Sequence, residues 1–237
     1  GQTVAGLAHG VKNLITALEG GMYMLNTGLS KGNLGRVEKG IHMLTRNIDR
    51  IGLFVKTFLG FSRGREIKAA INKPEDISRE VVNMYAAKAQ EHGIALRHSN
   101  SEAIAPAPID YESMLECLTN LVGNAIDACI MSDGNGDLHV EVDAFEKDSV
   151  VIYEVSDNGC GMDYAVKQKV FTNFFTTKGL GGTGLGLLMT KKIIQEHGGV
   201  IEYESEAGQG TVFRIRLPRS RLPEPPVEDE AIAAAEG

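Results

Sequence analysis

Apolar residues fall at Val4, Leu7, Ala8, Val11, Leu14, Ile15, Leu18, Met22, Leu25 and Leu29. Steps of three and four place them on one face of a helix. Gly28, Ser30, Lys31, Gly32 and Asn33 then interrupt the pattern, as a helix–helix connection does. A second stripe follows at Leu34, Val37, Ile41, Leu44, Ile48, Ile51, Val55 and Phe58, a heptad rhythm sustained over about four heptads. Two such helices form a hairpin, and a lone hairpin leaves part of both stripes uncovered. Pairing with a second copy into a four-helix bundle covers them, so the pattern predicts a homodimer.

Beyond a hinge at Phe61–Arg65 the period changes. Ile67–Ile71 reads as a short strand, and Pro74-Glu75-Asp76 opens a helix that runs to about His92 and closes at Gly93. Ile94–Leu96 is a further strand, and Asp110 caps a helix reaching about Met131. Leu138–Phe145 and Val150–Ser156 alternate like neighbouring antiparallel strands. A glycine-rich stretch from Asp157 to Gly186 leads into a helix ending at His197-Gly198-Gly199. Val200–Ser205 and Thr211–Leu217 close the region as a hairpin. The fold class expected is α+β: a helical hairpin over residues 1–64, then a two-layer α/β sandwich over 65–219. Residues 220–237, rich in Pro, Glu and Ala without periodicity, read as a disordered acidic tail.

Composition narrows the picture. A net charge of −7 argues against nucleic acid as a partner. Three cysteines, Cys117, Cys129 and Cys160, form no paired CxxC spacing, which suits a reduced, cytoplasmic setting. No apolar run reaches the roughly 20 residues of a membrane span. The chain begins at Gly1 with neither Met nor a signal pattern, and so reads as a fragment, with any sensory part upstream.

Four segments of the second region carry chemistry. Asn120 and Asn124, four apart, project from one helix face, and neutral amide oxygens suit a hard cation such as Mg²⁺. Asp157-Asn158-Gly159-Cys160-Gly161-Met162 ends a strand, where a fixed carboxylate can accept a hydrogen bond from an adenine amino group and glycines let the base come close. Phe171-Thr172-Asn173-Phe174-Phe175-Thr176-Thr177-Lys178 sets aromatics, hydroxyls and a cation before a flexible loop. Gly182-Thr183-Gly184-Leu185-Gly186-Leu187 opens a helix and offers N–H groups to phosphates. Each segment alone is weak, and the ordered set is what carries the argument.

That set resembles the N, G1, F and G2 boxes of the Bergerat-fold ATPases, the superfamily of gyrase, Hsp90, histidine kinases and MutL. Gly208-Gln209-Gly210-Thr211 resembles its further G-box, and the preceding hairpin is similar to that of the histidine kinases. The resemblance implies ATP and Mg²⁺ as cofactors. It implies that Asn124, with Asn120 beside it, coordinates Mg²⁺ and that Asp157 reads adenine. Gly159 and Gly161 would then line the base pocket and Lys178 would meet the terminal phosphate. Gly182, Gly184 and Gly186, with Leu185 among them, would belong to the lid and phosphate wall. Hydrolysing members place a water-activating glutamate where this chain has Asn120, and an amide is no general base. The resemblance therefore favours phosphoryl transfer over an ATPase of the gyrase or MutL kind.

On the first helix, about 100° per residue puts His9 opposite the centre of the apolar stripe, with Asn13 on the same polar face. An imidazole there is neutral often enough near pH 7 to act as a nucleophile. Ala8-His9-Gly10-Val11-Lys12-Asn13 resembles the family's H-box, which implies His9 as phosphoacceptor and a dephosphorylating role for Asn13. It also implies a response regulator as partner and an upstream sensory domain. Gly10 stands where the family usually has an acidic residue, which leaves open a phosphatase-dominant or degenerate kinase. His92 and His197 each precede a glycine at a helix end, where a cation suits the dipole.

Overall fold

Both apolar stripes fold as continuous helices, α1 (Gln2–Ser30) and α2 (Leu34–Ser62). The computed structural model describes residues 2–62, 67–99, 104–132, 136–172 and 184–225, and for 2–10, 13, 50, 53–54 and 56–62 the backbone alone. The chain divides into two units. One is Gly1–Arg65 with Lys169–Leu188, the other Glu66–Gln168 with Met189–Gly237. Among the described residues no helix is long and apolar enough to cross a membrane.

In the first unit the connection is shorter than the sequence suggests. Gly28, expected in the loop, lies inside α1. The turn is Lys31-Gly32-Asn33, where the Asn33 N–H returns to Gly28 O at 2.8 Å and Asn33 Oδ1 accepts the Arg36 N–H at 3.0 Å. Gly28 is helical because the two helices nearly touch there: a Cβ would meet Val37 N at 2.8 Å. Gly40 mirrors it on α2, its missing Cβ lying 2.6 Å from Leu25 N. The seam of this hairpin is thus lined by glycine as well as by the apolar stripe. Much of the stripe faces outward instead, with Ile15, Met22 and Leu29 of α1 and Ile41, Ile48 and Val55 of α2 exposed.

This seam predicts a matched pair of effects. Alanine in place of a helical glycine gains up to about 1 kcal/mol of propensity, so Gly52→Ala, with nothing within 4 Å, is expected to stabilise the hairpin. Gly40→Ala presses a methyl into the Leu25 backbone, and overpacking costs about 1–3 kcal/mol. Its denaturation midpoint falls while that of Gly52→Ala rises.

The second unit is built on a five-stranded sheet in the order β2-β4-β5-β7-β6. Strand β2 (Ala95–Ser99) runs parallel to β4 (His139–Lys147), and the other pairs are antiparallel. Strand β5 (Val150–Asp157) follows β4 through Asp148 and Ser149, both at positive φ, the turn geometry that matches strand twist. Strands β6 (Val200–Glu206) and β7 (Gly210–Pro218) form the second hairpin. Helices α3 (Pro74–Glu91) and α4 (Tyr111–Ile130) pack on one sheet face. Val140, Val142, Tyr153, Val155, Ile215 and Leu217 of the sheet and Ile77, Val81, Leu118, Leu121 and Ile126 of these helices are buried. Strand alternation turns charged residues to the opposite face, where Arg214 bonds Glu154 and Glu204.

Several expectations are corrected here. The strand sought at Ile67–Ile71 is β1 (Ala70–Asn72), which pairs antiparallel with β3 (Ala107–Ile109) as a separate ribbon. A short helix, α5 (Tyr164–Lys167), interrupts the glycine-rich stretch, which ends in α6 (Gly186–Glu196). The chain does not lose structure at once after Pro218. Arg219–Arg221 makes a 3₁₀ turn, and the Arg219 guanidinium grips both Glu146 carboxylate oxygens and the carbonyls of Ala105 and Pro106. Residues 226–237 of the expected tail lie outside the described residues.

His197 is also not the helix-end cation expected. It is fully buried, its Nε2 accepts the Asp110 N–H at 3.2 Å, and its Nδ1 donates to Ile193 O at 2.8 Å. One nitrogen must carry a lone pair and the other a proton, which defines a neutral ring. Asp110 in turn caps α4: Oδ1 accepts the Ser113 N–H at 3.1 Å, and Oδ2 accepts the Ser113 hydroxyl at 2.8 Å and the Lys68 N–H at 3.0 Å. Burial pushes its carboxyl up, but these hydrogen bonds outweigh it and hold Asp110 below the usual carboxylate value.

Candidate functional site

Helix α4 is the spine of the site. It forms because Asp110 caps its first turn and because Met114, Leu118, Leu121, Val122 and Ile126 bury a continuous apolar face. Asn120 and Asn124 lie one turn apart beside that face, and Asn124 Nδ2 donates to Asn120 Oδ1 at 3.5 Å. Asn120 Nδ2 donates to the hydroxyl of Thr190 on α6 at 3.0 Å. An amide that turns its nitrogen toward Asn120 turns its oxygen away, so Asn124 Oδ1 has the aspect a hard cation's ligand needs. Asp127, a further turn along, is joined to Lys88 of α3 at 2.8 Å.

Asp157 ends β5 with its side chain inside the unit. Oδ1 accepts the Gly159 N–H at 2.9 Å, and the Thr211 N–H also bonds the carboxylate. Burial raises its pKa from 3.8 to about 6, and those two N–H donors limit the rise. The group is therefore an anion at neutral pH, held in place by backbone.

The following loop is clamped on two sides. Cys160 N–H bonds Ala128 O of α4 at 3.1 Å, and Gly208 N–H bonds Cys160 O at 2.8 Å. A Cβ on Gly159 would meet the Ala128 carbonyl carbon at 2.5 Å, and one on Gly161 would meet Glu206 O at 2.0 Å. Protein backbone fills the space beside both glycines. Asn158 braces the loop against the start of β4, accepting the His139 N–H at 2.7 Å and donating to Asp137 O at 2.9 Å. Thr211 completes this side, its hydroxyl 2.9 Å from that of Ser205.

Two clusters are thus assembled along α4: Asn120 with Asn124, and Asp157 with Gly159, Gly161 and Thr211. Phe171, Gly184, Leu185 and Gly186 belong, by chain contacts, to the unit that contains the hairpin. Gly184 has φ +66 and Gly186 opens α6. Thr177, Lys178 and Gly182 lie outside the described residues. His9 and Asn13 have helical backbones within α1, and their side chains lie outside the described residues. Sequence reading missed Thr190. Its signal was a lone hydroxyl among Met189, Ile193 and Ile194 on the apolar face of α6.

Residues 109–221 match the family described as histidine kinase-, DNA gyrase B-, and HSP90-like ATPase. Sporulation kinase E of Bacillus subtilis is 32% identical over 219 residues, which cover 92% of this chain and 28% of that protein. The catalytic domain of histidine kinase ThkA superposes with a TM-score of 0.55 at 30% identity, covering 65% of this chain and 99% of that one. Histidine kinase ThkA, solved in complex with response regulator protein TrrA, superposes with a TM-score of 0.69 at 25% identity, covering 92% of this chain and 61% of that one. The chain therefore spans little more than a quarter of the length of sporulation kinase E.

Proposed function

Because the chain belongs to the histidine kinases and carries their ATPase domain, we propose that it binds ATP with Mg²⁺ and phosphorylates His9. The phosphoryl group then passes to an aspartate of a response regulator, the partner class with which the similar ThkA was solved. The observation that carries this reading is Asp157: a buried carboxylate, ionised at neutral pH, fixed by two backbone donors beside the helix that bears the asparagines. In this reading it accepts a hydrogen bond from the adenine amino group, with Gly159 and Gly161 shaping the loop and Thr211 supporting it. Asn124, with Asn120 behind it, holds Mg²⁺. The metal supplies charge neutralisation on the phosphates. Lys178, Phe171, Thr177, Gly182, Gly184, Leu185 and Gly186 keep the phosphate-side and lid roles that the resemblance implies for them.

The exposed apolar residues of α1 and α2 support a homodimer closed as a four-helix bundle. The share of sporulation kinase E that the chain spans supports a longer protein with a sensory part. ATP and three cysteines outside any disulfide suit work in the cytoplasm. A kinase reading is favoured over a phosphatase or scaffold because the relative is named a kinase. An ATPase of the gyrase kind is disfavoured because the Asn120 amide is engaged by Thr190 and Asn124 and takes up no proton.

The test is incubation with terminally labelled ATP and Mg²⁺. Acid-labile, alkali-stable label on the protein, transferable to a receiver domain, is the expected result. Nucleotide binding with no phosphoprotein overturns the kinase reading, and steady phosphate release without phosphoprotein points to hydrolysis.

A further inference from the structure

We propose that Thr190 is a positioning residue for the metal side of the site, acting through Asn120 on Asn124. The proposal rests on the reading of Asn124 as the Mg²⁺ ligand and adds a residue that this reading did not contain.

Thr190 sits one turn into α6 on the face that buries Met189, Ile193 and Ile194, and it is itself 2% exposed. A hydroxyl in such a place costs free energy unless it is bonded, and valine would fill the same volume without that cost. The hydroxyl meets Asn120 Nδ2 at 3.0 Å across 70 residues of sequence. The backbone beneath it is held as well, since the Cys117 thiol donates to Thr190 O at 3.9 Å. Thr190 is therefore a rigid point on α6 from which the Asn120 side chain is set.

The consequence runs through amide chemistry. An asparagine amide has one donor end and one acceptor end, and nothing in its shape alone decides which faces a neighbour. With Nδ2 committed to Thr190, Asn120 shows its oxygen to Asn124, whose nitrogen answers it at 3.5 Å. That choice turns Asn124 Oδ1, the atom a cation takes, away from the pair. Without the Thr190 hydroxyl nothing fixes which end Asn120 turns to Asn124, and if both amides reverse, Asn124 Oδ1 faces Asn120 instead of a cation. Mg²⁺ demands near-ideal octahedral geometry, so a ligand whose oxygen is diverted loses more than a flexible cation site would.

The experiment compares Thr190→Val with Thr190→Ser and the parent by ADP titration, once with MgCl₂ and once with EDTA. Loss of a residue that orients a metal ligand typically costs 10–100-fold in metal affinity. Thr190→Val is expected to lose about tenfold of the affinity that Mg²⁺ adds, with ADP binding in EDTA and the melting temperature near those of the parent. Thr190→Ser, which keeps the hydroxyl, retains the Mg²⁺ gain. If Thr190→Val does not fold, Thr190→Ala makes the same deletion with a smaller side chain and a better helix former. Thr190→Val binding ADP as the parent does in both buffers overturns the proposal alone. Equal losses in both buffers with a lowered melting temperature overturn it in favour of packing. A parent that binds ADP equally with and without Mg²⁺ overturns the metal reading of Asn124 and this proposal with it, and a parent that binds no ADP overturns the function itself.

Discussion

Asp157→Asn is expected to lose about 100-fold in adenine-nucleotide affinity while the nucleotide-free protein becomes more stable. The carboxylate takes the Gly159 and Thr211 N–H groups and keeps acceptor capacity for the base. Asparagine has a single oxygen. If that oxygen stays with Gly159, the amide nitrogen faces the adenine amino group, donor against donor. A hydrogen bond to a charged group is worth about 1.5–3 kcal/mol, and an unmatched buried donor adds to the loss. At about 1.4 kcal/mol per tenfold, two decades follow. The gain in stability comes from the same burial. A folded-state pKa of about 6 against 3.8 means that the folded protein holds the proton more tightly than the unfolded chain. Stability therefore falls as pH rises from about 4 to about 6, and above that the full cost, about 3 kcal/mol, is present. The variant should melt higher than the parent at pH 7.5 and match it near pH 4. Nucleotide affinity of the parent moves the opposite way, weakening below pH 6 as the acceptor is protonated, and the variant's flat profile is the baseline. A parent and variant with equal affinity at pH 7.5 would remove Asp157 from the base pocket.

His9→Gln is expected to bring phosphoprotein labelling to background while leaving ADP affinity within twofold of the parent. Glutamine keeps length and polarity in α1 but has no nucleophilic nitrogen. The split between lost chemistry and retained binding is what distinguishes a phosphoacceptor from a residue that merely supports the fold. Helix α1 passes through Gly10 without a break, so the missing acidic neighbour is a matter of chemistry at His9, and labelling of the parent would show that another base serves. Label that persists in His9→Gln would move the acceptor to another histidine.

Much of this architecture is legible because its signals are local. Pro74 with two acids after it, Asp110 three residues before Ser113, and the alternation of β4 and β5 each carry their own cause within a few residues. The misses are non-local. Strand β3 is Ala-Pro-Ile, too short for alternation to register, and exists because Ala70–Asn72 lies beside it. The parallel register of β2 on β4 depends on residues over 40 apart. Gly28 carries every mark of a turn, and only the approach of Val37 reveals it as a contact. At the site, the order of the boxes marked Asn120, Asn124 and Asp157. Thr190 showed only a lone hydroxyl on an apolar face, and its partner, Asn120, lies 70 positions earlier. His197 was misread because a helix-end position says nothing of burial.

Asp110 was described as a cap, yet its bonds join three stretches that the chain brings together late. Its carboxylate fixes the amides of Lys68 and Ser113, and its own amide is fixed by His197. None of these can exchange with solvent hydrogen unless the first turn of α4 lets go, so fraying at the start of the unit and at the end of α6 becomes one event. In deuterium exchange the amides at 68, 110 and 113 should open together, at the rate of the unit's deepest opening and not at the rate of its edges. Lowering the pH through the depressed titration of Asp110 would weaken the carboxylate's hold on the amides of Lys68 and Ser113. The segment by which the chain arrives and the helix that carries the asparagines thus share a single lock.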